Sequence, residues 1–210
     1  MKKTFVLTVL FVLPVVVYLF FASGVNNFGK LSVLTENIAE INDNPEGISL
    51  ENKITVLGFL GDNVDLKKGN AFNLNQKIYK RFYQFDDFQF VMVMPKGTEE
   101  KTEALKKELG TFSDIEKWNF VFMEKEQVTT FFKSLKTDLL LDANMGTQYV
   151  FIIDKERNLR GRDDDEDVGT KFGFNAISVA DLNNKMVDDV KIILAEYRLA
   201  LKKNTAGRKN

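Results

Sequence analysis

The chain has 210 residues, of which 44% are hydrophobic and 28% charged, with 19 phenylalanines and a formal net charge of -1. That is material for one membrane segment and one compact domain, and the near-neutral balance gives no support to nucleic-acid binding. There is no cysteine and no histidine, which excludes disulfides, thiol catalysis, a lipidated cysteine, thiolate or imidazole metal ligation and the Ser-His-Asp triad.

Lys2 and Lys3 precede an uncharged, almost wholly apolar run from Phe5 to Ala22. Its 18 residues reach the lower part of the range for a membrane span, about 17–25 residues. Pro14 inside the run is tolerated in a lipid-embedded helix. The two lysines favour a cytoplasmic N-terminus and export of the rest. Residues 1–24 are therefore expected to form a transmembrane anchor. A cleaved signal peptide is the alternative, since Ala22-Ser23-Gly24 has a small-x-small form, although signal h-regions are usually about 7–15 residues.

Residues 25–47 read as a linker, with Lys30 to Thr35 as a short strand and turn-forming residues dense from Asn42 to Gly47. A domain is expected over 48–202. Its first core strand is Lys53 to Leu60, a short apolar β-rich run. It breaks at Gly61-Asp62-Asn63 into a polar stretch before a helix at 70–83. Phe88 to Met94 is a second buried strand, and Glu99 to Leu109 a charged surface helix. Asn119 to Met123 is a third strand, and Glu124 to Lys136 a helix with Val128, Phe131, Phe132 and Leu135 on its apolar side. Gln148 to Asp154 and Leu159 to Arg162 form a hairpin around Lys155-Glu-Arg-Asn158. In the last helix, Leu182, Met186, Val190, Ile193, Tyr197 and Leu201 recur at steps of three and four and share one face. Ser178 and Asp181 resemble a capping box. Residues 203–210 read as a basic, frayed tail. Strands alternating with helices, then a hairpin and a final helix, predict an α/β sandwich with a central mixed sheet flanked by helices.

Three stretches carry a resemblance. Ser49-Leu-Glu-Asn-Lys-Ile-Thr-Val-Leu-Gly-Phe59, Met94-Pro-Lys-Gly-Thr98 with the Glu/Lys helix after it, and Tyr149-Val-Phe-Ile-Ile-Asp-Lys-Glu-Arg-Asn-Leu-Arg160 resemble, in that order, segments of the Sco/SenC family. Those are thioredoxin-like, membrane-anchored copper chaperones for cytochrome oxidase assembly. The resemblance implies a thioredoxin-like sandwich behind an N-terminal anchor. It places the family's Cys-x-x-x-Cys near Asp62 and Leu66, its ligand histidine near Gly146, and the aspartate of its Asp-Pro turn at Met94. None of the three metal ligands is present, so the resemblance carries fold and export but not the family's chemistry.

The face around Asp62, Leu66, Met94, Met145 and Gly146 is the candidate site, with no residue assigned as catalytic or metal-binding and no cofactor expected. Met94 and Met145 are considered as a thioether pair for Cu(I), against core filling by flexible side chains. Asp62 and Asp65 are considered as an acid-base pair, against helix capping and turn formation. Asp163, Asp165 and Asp167 suggest a Ca²⁺ loop, against a solvated acidic loop neutralised by Arg160 and Arg162. The expected function is an exported, membrane-tethered, redox-inactive module at the bacterial inner membrane, facing the periplasm or exterior and contacting a protein partner of the cell envelope. It would be secreted if the N-terminal segment were cleaved. An enzyme using carboxylates, a weak metal-handling protein and a structural envelope protein are the alternatives.

Overall fold

The computed structural model describes residues 2–23, 30–41 and 44–207. The Ala22-Ser23-Gly24 stretch, the 42–47 turn and the C-terminal tail therefore lie partly outside the described residues. Helix α1, Lys2–Ser23, contains Pro14, and its side chains from Phe5 to Leu19 are exposed. Among the described residues no helix is long and apolar enough to cross a membrane; beyond Leu19 the side chains of α1 are not among those described.

Among the described residues, eight strands form the sheet: β1 (Ser32–Thr35), β2 (Ile54–Phe59), β3 (Phe88–Pro95), β4 (Trp118–Met123), β5 (Tyr149–Ile153), β6 (Leu159–Asp165), β7 (Gly169–Lys171) and β8 (Phe174–Asn175). Their order is β1-β6-β5-β2-β3-β4, with β7 added to β6 and β8 to β5. β2, β3 and β4 are parallel, and β5, β6 and β1 follow antiparallel, so the sheet is mixed as expected. The parallel connections run through helices: α2 (Val64–Leu74), a π turn (Asn75–Tyr79) and α3 (Lys80–Phe82) join β2 to β3, and α4 (Glu99–Gly110) joins β3 to β4. α5 (Lys125–Lys133) follows β4. The last helical stretch is α6 (Val179–Asp181), a second π turn (Leu182–Met186) and α7 (Val187–Gly207).

Period-two alternation sorts the side chains into two cores. On one face Val56, Phe90, Met92, Met94, Phe120 and Ile152 pack under α2, α4 and α7, reaching Leu74, Leu105, Val190 and Ile193. On the other, Leu57, Phe59, Val91, Val93, Phe151 and Ile153 pack under α5 and the segment before β2. Phe59 meets Phe132 edge to face at 5.1 Å, an arrangement favoured by the ring quadrupoles.

Three expectations are corrected. Residues 31–41, expected in the linker, are part of the domain, because β1 pairs with β6 and Ile38 and Ile41 are core residues. Within that segment the Glu40 carboxylate accepts from the backbone of Ile41, Leu50 and Glu51, which satisfies donors that no strand partner would meet. The helix expected at 70–83 begins at Val64, since Val64 is fully buried and Asp65 in the first turn complements the helix dipole. Tertiary burial here overrides a weakly helical composition. α7 runs through Gly207, past the expected boundary at 202. Ser178 caps the start of its helical stretch by accepting from the Asp181 amide at 3.1 Å, whereas the Asp181 carboxylate turns to the Asn175 amide instead of closing a box.

Arg160 on β6, almost fully buried, ties both ends of the domain together. Its guanidinium donates to the Leu31 carbonyl, to Asp154 at 3.1 Å and to Glu196 of α7 at 2.7 Å. Burial disfavours its charge, but the two carboxylates outweigh that and raise its pKa. Removing the cation strands a carboxylate, Asp154, whose side chain is only 2% exposed. Arg160→Leu is expected to destabilise the domain by about 3–5 kcal/mol, read as a fall in the urea midpoint. A midpoint within error of the parent would show that the knot carries no net stability.

Candidate functional site

The candidate face is built where the C-terminal end of β2 runs into α2, beside the turn that enters β5. Leu60 and Gly146 form an antiparallel bridge. The Thr147 amide donates to the Phe59 carbonyl at 3.0 Å and the Asp62 amide to the Asn144 carbonyl at 2.8 Å. The chains approach so closely that a Cβ on Gly61, which has φ +73°, would lie 2.4 Å from the Asn144 carbonyl oxygen. Gly61 thus meets two needs that other residues do not, a left-handed backbone and zero side-chain volume.

Asp142 shapes the facing turn. Its carboxylate accepts from the Asn144 and Gly146 amides, both at 2.9 Å, as an Asx turn does. It also takes the Lys67 ammonium at 2.8 Å. Burial pushes the Asp142 carboxyl up, but Lys67 and the two amides outweigh it and hold it below its ordinary value. Lys67 reaches Asp142 across Gly146, where a Cβ would meet Lys67 Cε at 2.9 Å and the Leu60 carbonyl oxygen at 3.0 Å. Asp62 is paired with Lys125 of α5 at 2.8 Å, and Asp65 turns to Lys68 at 3.4 Å.

The structure therefore brings Asp62, Met145 and Gly146 to one place and separates the other two residues from it. Leu66 in the first turn of α2 is 74% exposed. Met94 is fully buried in the core under α2 and α4, while Met145 lies against the opposite core beneath α5 and accepts from the Thr129 hydroxyl at 3.4 Å. The two methionines form no thioether pair, because the sheet stands between the two sulfurs. Asp62 and Asp65 do not pair either, because each bonds to a different lysine. Lys67, Lys125 and Asp142 escaped the sequence reading, and Lys67 and Asp142 lie 75 positions apart with no local pattern to join them.

The metal that the resemblance implies does not fit this face. Copper in such a site takes soft or imidazole donors. The three positions offer a carboxylate bound to Lys125, an exposed hydrocarbon and a glycine with no room for a side chain. The acidic run is also accounted for. β6 extends through Asp165, whose side chain is 1% exposed, and Lys185 lies 2.7 Å from Asp165 and 2.6 Å from Asp167. An ammonium thus occupies the place where a cation would sit. Lys185 also outweighs the effect of burial and lowers the Asp165 pKa. Of the two arginines expected to neutralise the run, Arg160 points elsewhere, while Arg162 lies 3.8 Å from Asp165 and also grips Asp189 through two hydrogen bonds at 2.8 and 2.7 Å.

No protein-family model matches the sequence, and no curated protein does. Solved structures do. A candidate protein disulfide isomerase from Bacteroides thetaiotaomicron aligns with TM-score 0.51 and 14% identity, over 79% of this chain and 94% of its own. A candidate electron transport protein from Aquifex aeolicus aligns with TM-score 0.50 and 16% identity, over 78% of this chain and 98% of its own. The soluble domain of Sco1 from Bacillus subtilis aligns with TM-score 0.46 and 13% identity, over 79% of this chain and 97% of its own. At these identities the likeness concerns the fold, which is the thioredoxin-like mixed α/β sandwich read from the sequence.

The Asp142 geometry has a pH signature. A carboxyl depressed in the folded state contributes stability that is present above its unfolded pKa, about 3.9, and is lost as pH falls through the folded value. Asp142→Asn keeps acceptors for the two amides but loses the ion pair. The variant is expected to be less stable than the parent at pH 7, and the gap should narrow towards pH 3. An equal gap in urea midpoint at both pH values would show that the charge on Asp142 contributes nothing.

Proposed function

We propose that this chain is an exported, membrane-tethered binding or assembly module of the thioredoxin-like fold that works without thiol or metal chemistry. The observation that carries this reading is the closed face. At the position of the fold's usual chemistry, Leu60 and Gly146 are bridged, Lys67 and Lys125 are bound to Asp142 and Asp62, and the chain has no cysteine or histidine. A carboxylate enzyme needs an acid and a base whose environments drive their pKa values apart, and both aspartates here are engaged by lysines. What the face offers is a surface of fixed charges, suited to contact with another protein.

The tether is read from the sequence of α1, whose run from Phe5 to Ala22 is uncharged, almost wholly apolar and 18 residues long, in the lower part of the range for a span, about 17–25 residues, although its described residues alone do not make one. Its described side chains from Phe5 onward are exposed, and they include Phe5, Leu10, Phe11 and Leu13. Lys2 and Lys3 at its start orient the N-terminus to the cytoplasm. The resemblance to the Sco/SenC family favours a partner in respiratory oxidase assembly or envelope maintenance, an analogy from fold.

A photo-crosslinking residue in place of Asp62, in the full chain in native membranes, tests this reading. A discrete adduct containing a respiratory-complex component is expected from that position and not from an exposed control such as Glu103. Adducts of equal intensity at both positions, or none, would remove the partner face. The metal-handling alternative is tested by titrating the full chain against a chromophoric Cu(I) chelator. The copper is expected to stay with the chelator, because neutral thioethers bind without anionic sulfur. Stoichiometric withdrawal would overturn the reading.

A further inference from the structure

Next to the closed face lies a groove of about 350 Å³. Phe132 comes to it from α5, Leu139 to Leu141 from the segment that follows, and Met145 from the turn before β5. Leu140 is 82% exposed. A scattered exposed leucine needs no explanation, but this one shares a hollow with four other large apolar side chains. A hollow of this size, mostly apolar with a few polar groups, has the form of a small-molecule site.

The polar groups of the lining decide what fits. The Thr129 hydroxyl donates to the Lys125 carbonyl at 2.9 Å, with the Met145 sulfur at 3.4 Å. The Thr137 hydroxyl oxygen accepts from the Leu139 amide at 3.2 Å. Asp142 accepts from two amides and is paired with Lys67. Lys133 differs from these, because its ammonium has no counter-ion and no hydrogen-bond partner among the described residues. It lies in the last turn of α5, where the helix dipole favours a cation but supplies only a partial charge. An occupant therefore gains by covering the apolar walls and by bringing one anionic group to Lys133.

We propose that this groove is a binding site for a free fatty acid, with the hydrocarbon chain along Phe132, the three leucines and Met145 and the carboxylate at Lys133. One uncompensated cation on an apolar hollow matches a monoanion with a long apolar body. A peptide C-terminus carries the same charge but also brings amide groups, which are costly to bury against apolar walls. The inference goes beyond the proposed function and does not rest on it, because it concerns a surface other than the closed face.

Nuclear magnetic resonance of the full chain in lipid nanodiscs, with isotope-labelled methionine methyl groups, tests it. Of the six methionines, Met145 lines the groove, whereas Met92 and Met94 are buried on the other side of the sheet. Decanoate is expected to shift the Met145 methyl resonance saturably and to leave those of Met92 and Met94 in place. Octanoate, two methylenes shorter, should need about tenfold more, at roughly fourfold per methylene. Lys133→Glu should raise the half-saturating decanoate concentration by about tenfold or more, and Lys133→Arg should keep it near that of the parent. Lys133 is exposed, so far-UV melts of both variants should match the parent. A Met145 resonance unmoved by decanoate would overturn the proposal. So would equal saturation by decanoate and uncharged decanol, which would show that Lys133 does not meet the ligand. Tighter saturation by a leucine-ended peptide would assign the groove to a protein chain end instead, and a Met145 shift on raising the protein concentration alone would assign it to a second copy; either result would also overturn the proposal.

Discussion

The close approach of two backbones is the constraint on which this protein's candidate face depends. From Phe59 to Asp62 and from Asn144 to Thr147 the chains exchange hydrogen bonds so tightly that Gly61 and Gly146 have almost no room for a side chain. The thioredoxin-like frame is intact around this point: a strand ends, a short loop follows, and a helix begins at Val64. A helix N-terminus of this kind stabilises a thiolate where one is present. Here the same place is filled by backbone contacts and two lysine–aspartate pairs, so the frame presents a sealed surface. The seal and the missing thiols are two sides of one arrangement, since a ligand set would need the space that Lys67 crosses to reach Asp142.

Charges elsewhere in the domain serve mainly to hold its periphery to the sheet. Arg160 binds the start of β1, the β5–β6 turn and α7. Arg162 and Lys185 fasten β6 to the beginning of the last helix through Asp189 and Asp165. Each of these acids is nearly inaccessible, so each cation offsets the cost of a buried carboxylate as well as adding an attraction. Burial dominates at Asp189, whose pKa is raised despite Arg162, whereas Lys185 prevails at Asp165. A dense acidic run can thus look like a metal loop in sequence and be an ion-pair clasp in space.

The groove under α5 differs in kind from the sealed face. It is apolar, open, and bordered by the exposed Leu140 and by Lys133, which has no counter-ion among the described residues. The turn at 142–146 thus borders both, bound on one side to Lys67 and the β2–α2 loop and lining an open hollow on the other. Met145, at φ +59°, sits between the two.

The sequence by itself determined the layer architecture and most of its elements. Period-two alternation in Phe88 to Met94 and Tyr149 to Ile153 assigns each side chain to a face, and steps of three and four mark the last helix, because these periods are properties of strand and helix geometry. The absence of cysteine and histidine settled equally early which reagents the chain lacks. Only the tertiary structure decided what the remaining side chains do. Met94 and Met145 read alike in sequence, yet the sheet parts them, because its two faces are distinguished by pairing register and not by distance along the chain. Ile38 and Ile41 lie in a stretch with turn-like composition, and a long-range partner, β6, makes it part of the core. Lys67 meets Asp142, and Lys185 meets Asp165, across gaps that leave no local pattern. Short periodic interactions are written along the chain, whereas contacts between distant segments depend on the three-dimensional path that brings them together.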